Sequence, residues 1–339
     1  MELDITPVVA SDEAAVKAWC TVTSAAVAHD SPLWRVHTPE MVKGWIGTDY
    51  PGDHTEGYIA YAKGQPIGNL RLTHSTIENL DNLFVDLRVV PDGRRHGLGG
   101  RIHDFVLERA AAHNRTRLLC TTLWELPDLP APSLDGARFA EKLGYQPALS
   151  DVARRLDLST VDDEALDSLL DQARARSPGY SLVRWTGPFP EEHVADLAYL
   201  QSRLFSDAPI GDLAIEVAAP DPERLRQMRA VDGKRGRLAY HTAAVHEGTG
   251  RLVAWTTLSR EQSIAWNAFQ QITIVDPEHR GHRLGALVKV ENLRYFREAE
   301  PTITAIDTFN AAQNTYMIAI NEAMGFKPLY AFQNWQREI

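Results

Sequence analysis

The chain has 339 residues, 44% hydrophobic and 24% charged, a globular mix of about two domains at roughly 150 residues each that excludes wholesale disorder. Its net charge of −10, from 45 acids against 35 bases, disfavours nucleic acid, whose phosphates need an excess of Lys and Arg on the binding face, and suits an amine-bearing ligand. No run approaches the ~18 apolar residues of a membrane span, the acidic N-terminal stretch does not read as a secretion signal, and Cys20 and Cys120 form neither a CxxC pair nor a metal cluster; a cytoplasmic protein with no membrane or metal partner is expected.

In chain order, a strand is expected over 3–8 and a helix over 12–28 with Asp12 as N-cap. Strands over 57–62 and 67–73 flank the turn cluster Lys63-Gly64-Gln65-Pro66, a hairpin. A strand over 83–90 leads to a helix over 98–113, where Leu98, Ile102, Phe105, Val106 and Ala110 recur at helical spacing. A strand over 117–123, a helix over 135–143 ended by Gly144, and a strand over 152–158 close this half. The polar stretch 161–176 reads as a linker helix, stopped by Ser177-Pro178-Gly179. Next come a strand over 182–185, helices over 191–205 and 223–229, and strands over 238–246 and 252–258. A strand over 269–275, a helix over 284–297, a strand over 303–309, a helix over 314–324 ended by Gly325 and a strand over 330–335 complete the chain. This order predicts a first domain over 1–160, a linker helix over 161–178 and a second domain over 179–339. Each is a mixed α/β (α+β) unit with a central antiparallel hairpin sheet flanked by helices, not the strict βαβ alternation of a dinucleotide-binding fold.

The two halves repeat. Leu87 to Gly99 aligns with Thr273 to Gly285 when Pro91 is set on Pro277, an offset of 186, and Leu143-Gly144-Tyr145 aligns with Met324-Gly325-Phe326 at 181. The repeated segment is strand, Arg/Gly-rich turn, helix. A helix start has unpaired backbone N–H groups and a partial positive charge. Glycine lets the backbone approach an anion closely, and arginine adds charge-assisted contacts. Arg94-Arg95-His96-Gly97-Leu98-Gly99-Gly100 and Arg280-Gly281-His282-Arg283-Leu284-Gly285 supply all three. Each reads as a pyrophosphate cradle or, more plainly, as a basic surface turn. Neither a Walker loop nor a GxGxxG dinucleotide fingerprint is present.

The pattern V-x-P-x-x-R-x-x-G-x-G, met by Val89, Pro91, Arg94, Gly97 and Gly99, resembles the GNAT superfamily of acetyl-CoA-dependent N-acyltransferases. The second copy has Val275, Pro277, Arg280 and Gly285, with Arg283 where the first glycine is usual. The helix Asn314 to Phe326 is similar to the family's N-x-x-A-x-x-x-Y-x-x-x-G-F helix, with Asn314 at the Asn position and Asn321 in place of the Tyr that often protonates the leaving thiolate; Ser133 and Ala140 occupy those two positions in the first half. The resemblance covers both halves. It implies a tandem GNAT-like protein with acetyl-CoA as co-substrate, an amine of a small molecule as acceptor, and transfer by direct attack in a ternary complex. It also implies that the backbone over 94–99 and 280–285 holds the coenzyme A pyrophosphate. The resemblance further implies that Gly100 and Ala286, next to these turns, and Asn310 and Asn314, near the start of the later helix, contact the cofactor, and that the strand ends around Val89 and Val275 hold the pantetheine arm and the thioester carbonyl. Arg283 suits the loop if its φ is negative. Asn310 and Asn314 serve either as ligand contacts or as caps. Tyr316 is either packing or a phenolic proton donor. Asp86 and Asp307 are each either a buried base with a raised pKa, a solvent-facing carboxylate or the partner of an arginine. Transfer is expected in the second half, which keeps Asn310 and Asn314 ahead of its Gly-Phe helix and offers Asn314, Asp307 and Tyr316 as candidate catalytic residues; the first half is interrupted by the proline-rich stretch 126–132. A non-catalytic acyl-CoA sensor is the alternative.

Overall fold

The computed structural model describes residues 3–127, 129, 131–207, 210–216 and 218–339; Asp128 and Pro130 of the proline-rich stretch lie outside the described residues. In chain order the elements are β1 (Leu3–Pro7), α1 (Glu13–Asp30), α2 (Pro39–Gly47), β2 (Asp53–Ala62), β3 (Gln65–Ser75), β4 (Asn82–Val89), α3 (Leu98–Ala112), β5 (Arg117–Trp124), α4 (Asp135–Lys142) and β6 (Gln146–Asp157). They continue with α5 (Asp163–Ala175), β7 (Tyr180–Thr186), α6 (Val194–Asp207), α7 (Pro222–Lys234), β8 (Arg237–His246), β9 (Leu252–Glu261), β10 (Asn267–Val275), α8 (Leu284–Ala299), β11 (Ala305–Ala311), α9 (Thr315–Ala323) and β12 (Lys327–Glu338). The mixed α/β class expected from the repeat is the class observed.

The chain forms two compact units whose boundaries differ from those read in the sequence. The first holds residues 1–150, 211–216 and 330–339; the second holds 151–210 and 217–329. In the first, the strand order is β1-β2-β3-β4-β5-β12. Neighbours run antiparallel except β4 and β5, which pair in parallel. One face is covered by α3, whose Ile102, Val106 and Ala110 pack with Leu70, Leu72, Leu83 and Leu118 of the sheet and with Trp335 of β12. On α1, Trp19 and Val16 pack with Val42 of α2 and Ile59 of β2.

In the second unit the order is β6-β11-β10-β9-β8-β7, with β10 and β11 the parallel pair. Each unit therefore closes its sheet with a strand from the other repeat: β12 pairs with β5, and residues 151–157 of β6 pair with β11. Helix α5 is no solvated linker. Asp162 caps it, and its Leu166, Leu170 and Ala173, one stripe at helical spacing, are buried in the core with Leu287, Val290 and Leu293 of α8. Its acids face outward, and Asp163 pairs with Arg297 at 2.6 Å.

Helix α2 was not foreseen, although Thr38, whose hydroxyl accepts from the Met41 N–H, and Pro39 in the first turn form an ordinary start signal. No helix among the described residues is long and apolar enough to cross a membrane.

Candidate active site

In the second unit, the ladder between β10 and β11 joins only Asn267–Phe269 to Ala305–Asp307, although β10 runs on to Val275 and β11 to Ala311. Beyond Phe269 the parallel pair is open. At the apex the Thr308 hydroxyl donates to the Gln270 carbonyl at 3.2 Å. On its other edge β10 carries a bulge: Gln270 and Thr273 sit opposite Leu258 and Thr256 of β9, so one extra residue is accommodated between them. A bulge turns backbone groups out of the ladder and re-aims them. The buried Gln270 side chain secures it, donating from Nε2 to the Thr256 hydroxyl (3.0 Å) and the Thr257 carbonyl (2.9 Å). In the first unit β4 and β5 likewise pair only over Asn82–Val85 and Arg117–Cys120, but β4 meets β3 in unbroken register.

The two turns before α3 and α8 share one backbone. Arg94 and Arg280 are extended at φ −74° and −69°. The left-handed positions that follow are filled in opposite order: Arg95 (φ 65°) then Gly97 (φ 79°) in the first copy, Gly281 (φ 86°) then Arg283 (φ 56°) in the second. The expectation of a negative φ at Arg283 is therefore corrected. Arg283 takes the left-handed N-cap geometry that Gly97 takes in the other copy, and its guanidinium donates to Gln172 on α5 at 2.8 Å.

Surroundings separate the copies. In the first, Arg94 is spent internally: it donates to both Asp30 oxygens (2.7 and 2.6 Å), to Asp135 (3.3 Å) and to the Val89 carbonyl (3.1 Å). Arg95 also pairs with Asp135. A Cβ placed on Gly99 would stand 3.2 Å from the Phe139 ring of α4, whereas one on Gly285 would meet Ile320 and Val275 at 3.6 and 3.7 Å. His96 and Gly97 are exposed and Gly100 half-buried, with no atom within 4 Å of a Cβ built on Gly97 or Gly100. In the second copy the turn opens on a cavity of about 450 Å³ lined by Thr273, Val275, Arg280, Gly281, Arg283, Gly285, Asn314, Tyr316 and Met317. His282 faces the Arg176 carbonyl at 3.2 Å, and Ala286 is buried one residue past Gly285.

Asn314 caps α9, its side-chain oxygen accepting from the Met317 N–H at 3.2 Å, and it also lines the cavity. Tyr316 is 63% exposed at the cavity wall. Asp307 does not line the cavity. Fully buried, it is held in a two-point ion pair by Arg155 (2.6 and 2.8 Å) and accepts from Asn267 at 2.9 Å. Asp86 pairs with Arg88 (2.6 Å) and Arg71 (3.1 Å); burial alone would raise its pKa, but those guanidinium groups hold it well below the usual carboxylate range. The raised pKa of a buried base is thus absent there. Asn310, on β11, accepts from Asn321 Nδ2 at 2.6 Å. Asn321 in turn accepts from Lys289 of α8, a fully buried lysine that sequence reading passed over because its neighbours on the helix are apolar.

No family model and no curated protein sequence matches the chain. Solved structures do. A tandem GNAT protein from the clavulanic acid biosynthesis pathway, solved without acetyl-CoA, is 31% identical with a TM-score of 0.86, over 99% of this chain and 98% of that one. Two further structures share the fold: a GCN5-related N-acetyltransferase from Sphaerobacter thermophilus (15% identity, TM-score 0.64, 99% of this chain and 95% of that chain) and the GCN5-related glucosamine N-acetyltransferase region of a fungal multi-domain GH3 β-N-acetylglucosaminidase (14%, 0.69, 99% and 38%). With both repeats aligned end to end at 31% identity, the chain belongs to the GNAT superfamily of N-acetyltransferases as a tandem member.

Proposed function

We propose that the protein is a cytoplasmic acetyl-CoA-dependent N-acetyltransferase acting on an amine of a small molecule, and that its second unit performs the transfer. The observation that carries this reading is the bulged, open β10–β11 pair beside a cavity lined by the 280–285 turn. The residues suit acetyl-CoA. Gly281 has open space around it and Gly285 has room for ordinary contacts, so the start of α8 accepts a pyrophosphate, with Arg280 and Arg283 at its rim. Val275 and the open strand edge suit an extended arm. The amine attacks the thioester carbonyl; the C–N bond forms, the C–S bond breaks, and the electron pair leaves on sulfur. Backbone N–H groups turned out at the bulge polarise the carbonyl.

Among the described cavity-lining residues His279 is the one ionisable base, and its ring meets the Tyr180 hydroxyl at 2.8 Å. The amine's proton then passes to water. This scarcity of bases also favours a second reading, a sensor that binds acyl-CoA without turnover. Free-thiol release against a panel of amines separates the two, since a sensor binds acetyl-CoA and releases nothing. Within the enzyme reading, Asn314→Ala lowers transfer about 10-fold, equivalent to ~1.4 kcal/mol, while Gly97→Val leaves the rate nearly intact. The reverse ranking would place transfer in the first unit.

A further inference from the structure

Lys289 is 1% exposed, and among the described residues no carboxylate lies within ion-pairing distance of it. A buried ammonium is costly unless its hydrogens are used. Here Nζ donates to Asn321 Oδ1 at 2.6 Å, meets Met317 Sδ at 3.9 Å and lies 5.7 Å from the centre of the Phe326 ring. Burial pulls its pKa down to about 7.

The consequence lies in the polarity of the chain of side chains that follows. Which end of an asparagine amide is oxygen is ordinarily open to assignment. An ammonium has donors only, so Asn321 must turn its oxygen to Lys289. Its Nδ2 then donates to Asn310 Oδ1 at 2.6 Å. Asn310 is thereby committed in turn: its oxygen faces inward, and its Nδ2, with no acceptor among the described residues, is left as a donor. Asn310 lies three residues past Asp307, where the β10–β11 ladder ends. An odd step along a strand reverses the face, so it projects from the face opposite Asp307 and the Arg155 pair.

We propose that Lys289 is a positioning residue whose ammonium orients the amides of Asn321 and Asn310, so that Asn310 Nδ2 is held as a donor to a carbonyl oxygen of an acyl-thioester arm lying between β10 and β11. The inference rests on the reading that the second unit holds acetyl-CoA. Neutral lysine has a lone pair and releases the constraint. Asn321 can then donate to Nζ and turn its oxygen to Asn310, which reverses both amides and presents an acceptor where the donor stood. On β6 the buried Arg154, opposite Thr308 of β11, is a charged group on the same face of the sheet as Asn310. The neighbours from α9 and the turn after it are Asn321, Met317 and Phe326, and on α8 itself Glu291 is engaged by Arg174 and Arg184.

The test is calorimetric binding of acetyl-CoA between pH 6 and pH 9, with the side-chain amide signals of Asn310 followed by NMR. The affinity of the unaltered protein is expected to fall as pH rises through about 7. Lys289→Met should bind about 10-fold more weakly at pH 6 and lose that pH dependence. Asn321→Asp keeps an oxygen for Lys289, and so the fold, but cannot donate to Asn310; it should weaken binding equally, with the Asn310 amide signals no longer shifted by ligand. Should Lys289→Met fail to fold, Asn321→Asp and the pH series of the unaltered protein decide. Tight binding that is flat with pH and unchanged in Asn321→Asp overturns the proposal and leaves the acetyl-CoA reading standing. An unaltered protein that does not bind acetyl-CoA removes the reading itself.

Discussion

The two turns show how little a glycine count says when read without its dihedral angle. Arg95 and Arg283 each take a left-handed conformation, beside a glycine that takes the other. The backbone was therefore legible from the strand-Pro-Arg-Gly pattern, but the sign of φ at Arg283 was not, because a polar side chain with a local partner tolerates the region. Gly97→Val places a branched residue at φ 79° and should cost more than ~1 kcal/mol of stability. Arg283→Gly relieves that geometry while losing the bond to Gln172 and gaining chain entropy when unfolded, and should stay within ~0.5 kcal/mol of neutral. Chemical denaturation of the two variants measures the contrast. Asp307 illustrates the opposite limit. Its place in an apolar strand was readable, but neither its burial nor its partner Arg155, 152 positions away in the chain, was. Asp307→Asn should destabilise by roughly 3–5 kcal/mol, since Arg155 is left without its carboxylate. A variant that keeps its stability yet loses turnover would instead make Asp307 a base.

Elements were readable where periodicity and end signals agreed. The helices at 98 and 284 begin at the expected residue. The stripe of α5 is equally periodic but was submerged in a highly polar composition. The bulge in β10 is a property of two strands in register, and one strand's pattern does not encode it; its trace in the sequence is the polar pair Gln270-Gln271 inside an apolar run. Gln270→Leu removes the donor to the Thr257 carbonyl and should cost ~1–3 kcal/mol, with turnover falling more than acetyl-CoA affinity, because the bulge aims backbone at the reacting carbonyl and not at the phosphates. Equal losses in both, by steady-state kinetics and calorimetry, would count against that role.

At the scale of the molecule, buried bases set the response to pH. Burial lowers His74 and His103 to about 4 and His241 to about 3, from an ordinary 6.5. Each folded imidazole binds a proton less readily than its unfolded counterpart, so the stability these groups contribute is complete above pH 6.5 and drains away as pH falls towards 4 and 3. Lys289 has the same sign over a higher range, between 10.5 and about 7. The thermal midpoint should therefore fall steeply between pH 6.5 and 4.5, while the stability of the unaltered protein relative to Lys289→Met should rise from pH 7 to pH 10.

The exchange of final strands also orders events in time. Strand β5 is complete at Trp124, but its neighbour β12 ends at Glu338. At about 5–20 residues per second, ribosomal synthesis separates the two by roughly 10–40 s. Throughout that interval Leu118 and Leu119 belong to an unpaired edge, the kind of surface that invites pairing with another chain. The second unit has all its strands by Ala311 and can close first. The half made first is thus the half finished last, and cutting the gene between the repeats would yield two fragments, each carrying a strand its own sheet does not use and lacking the one it needs.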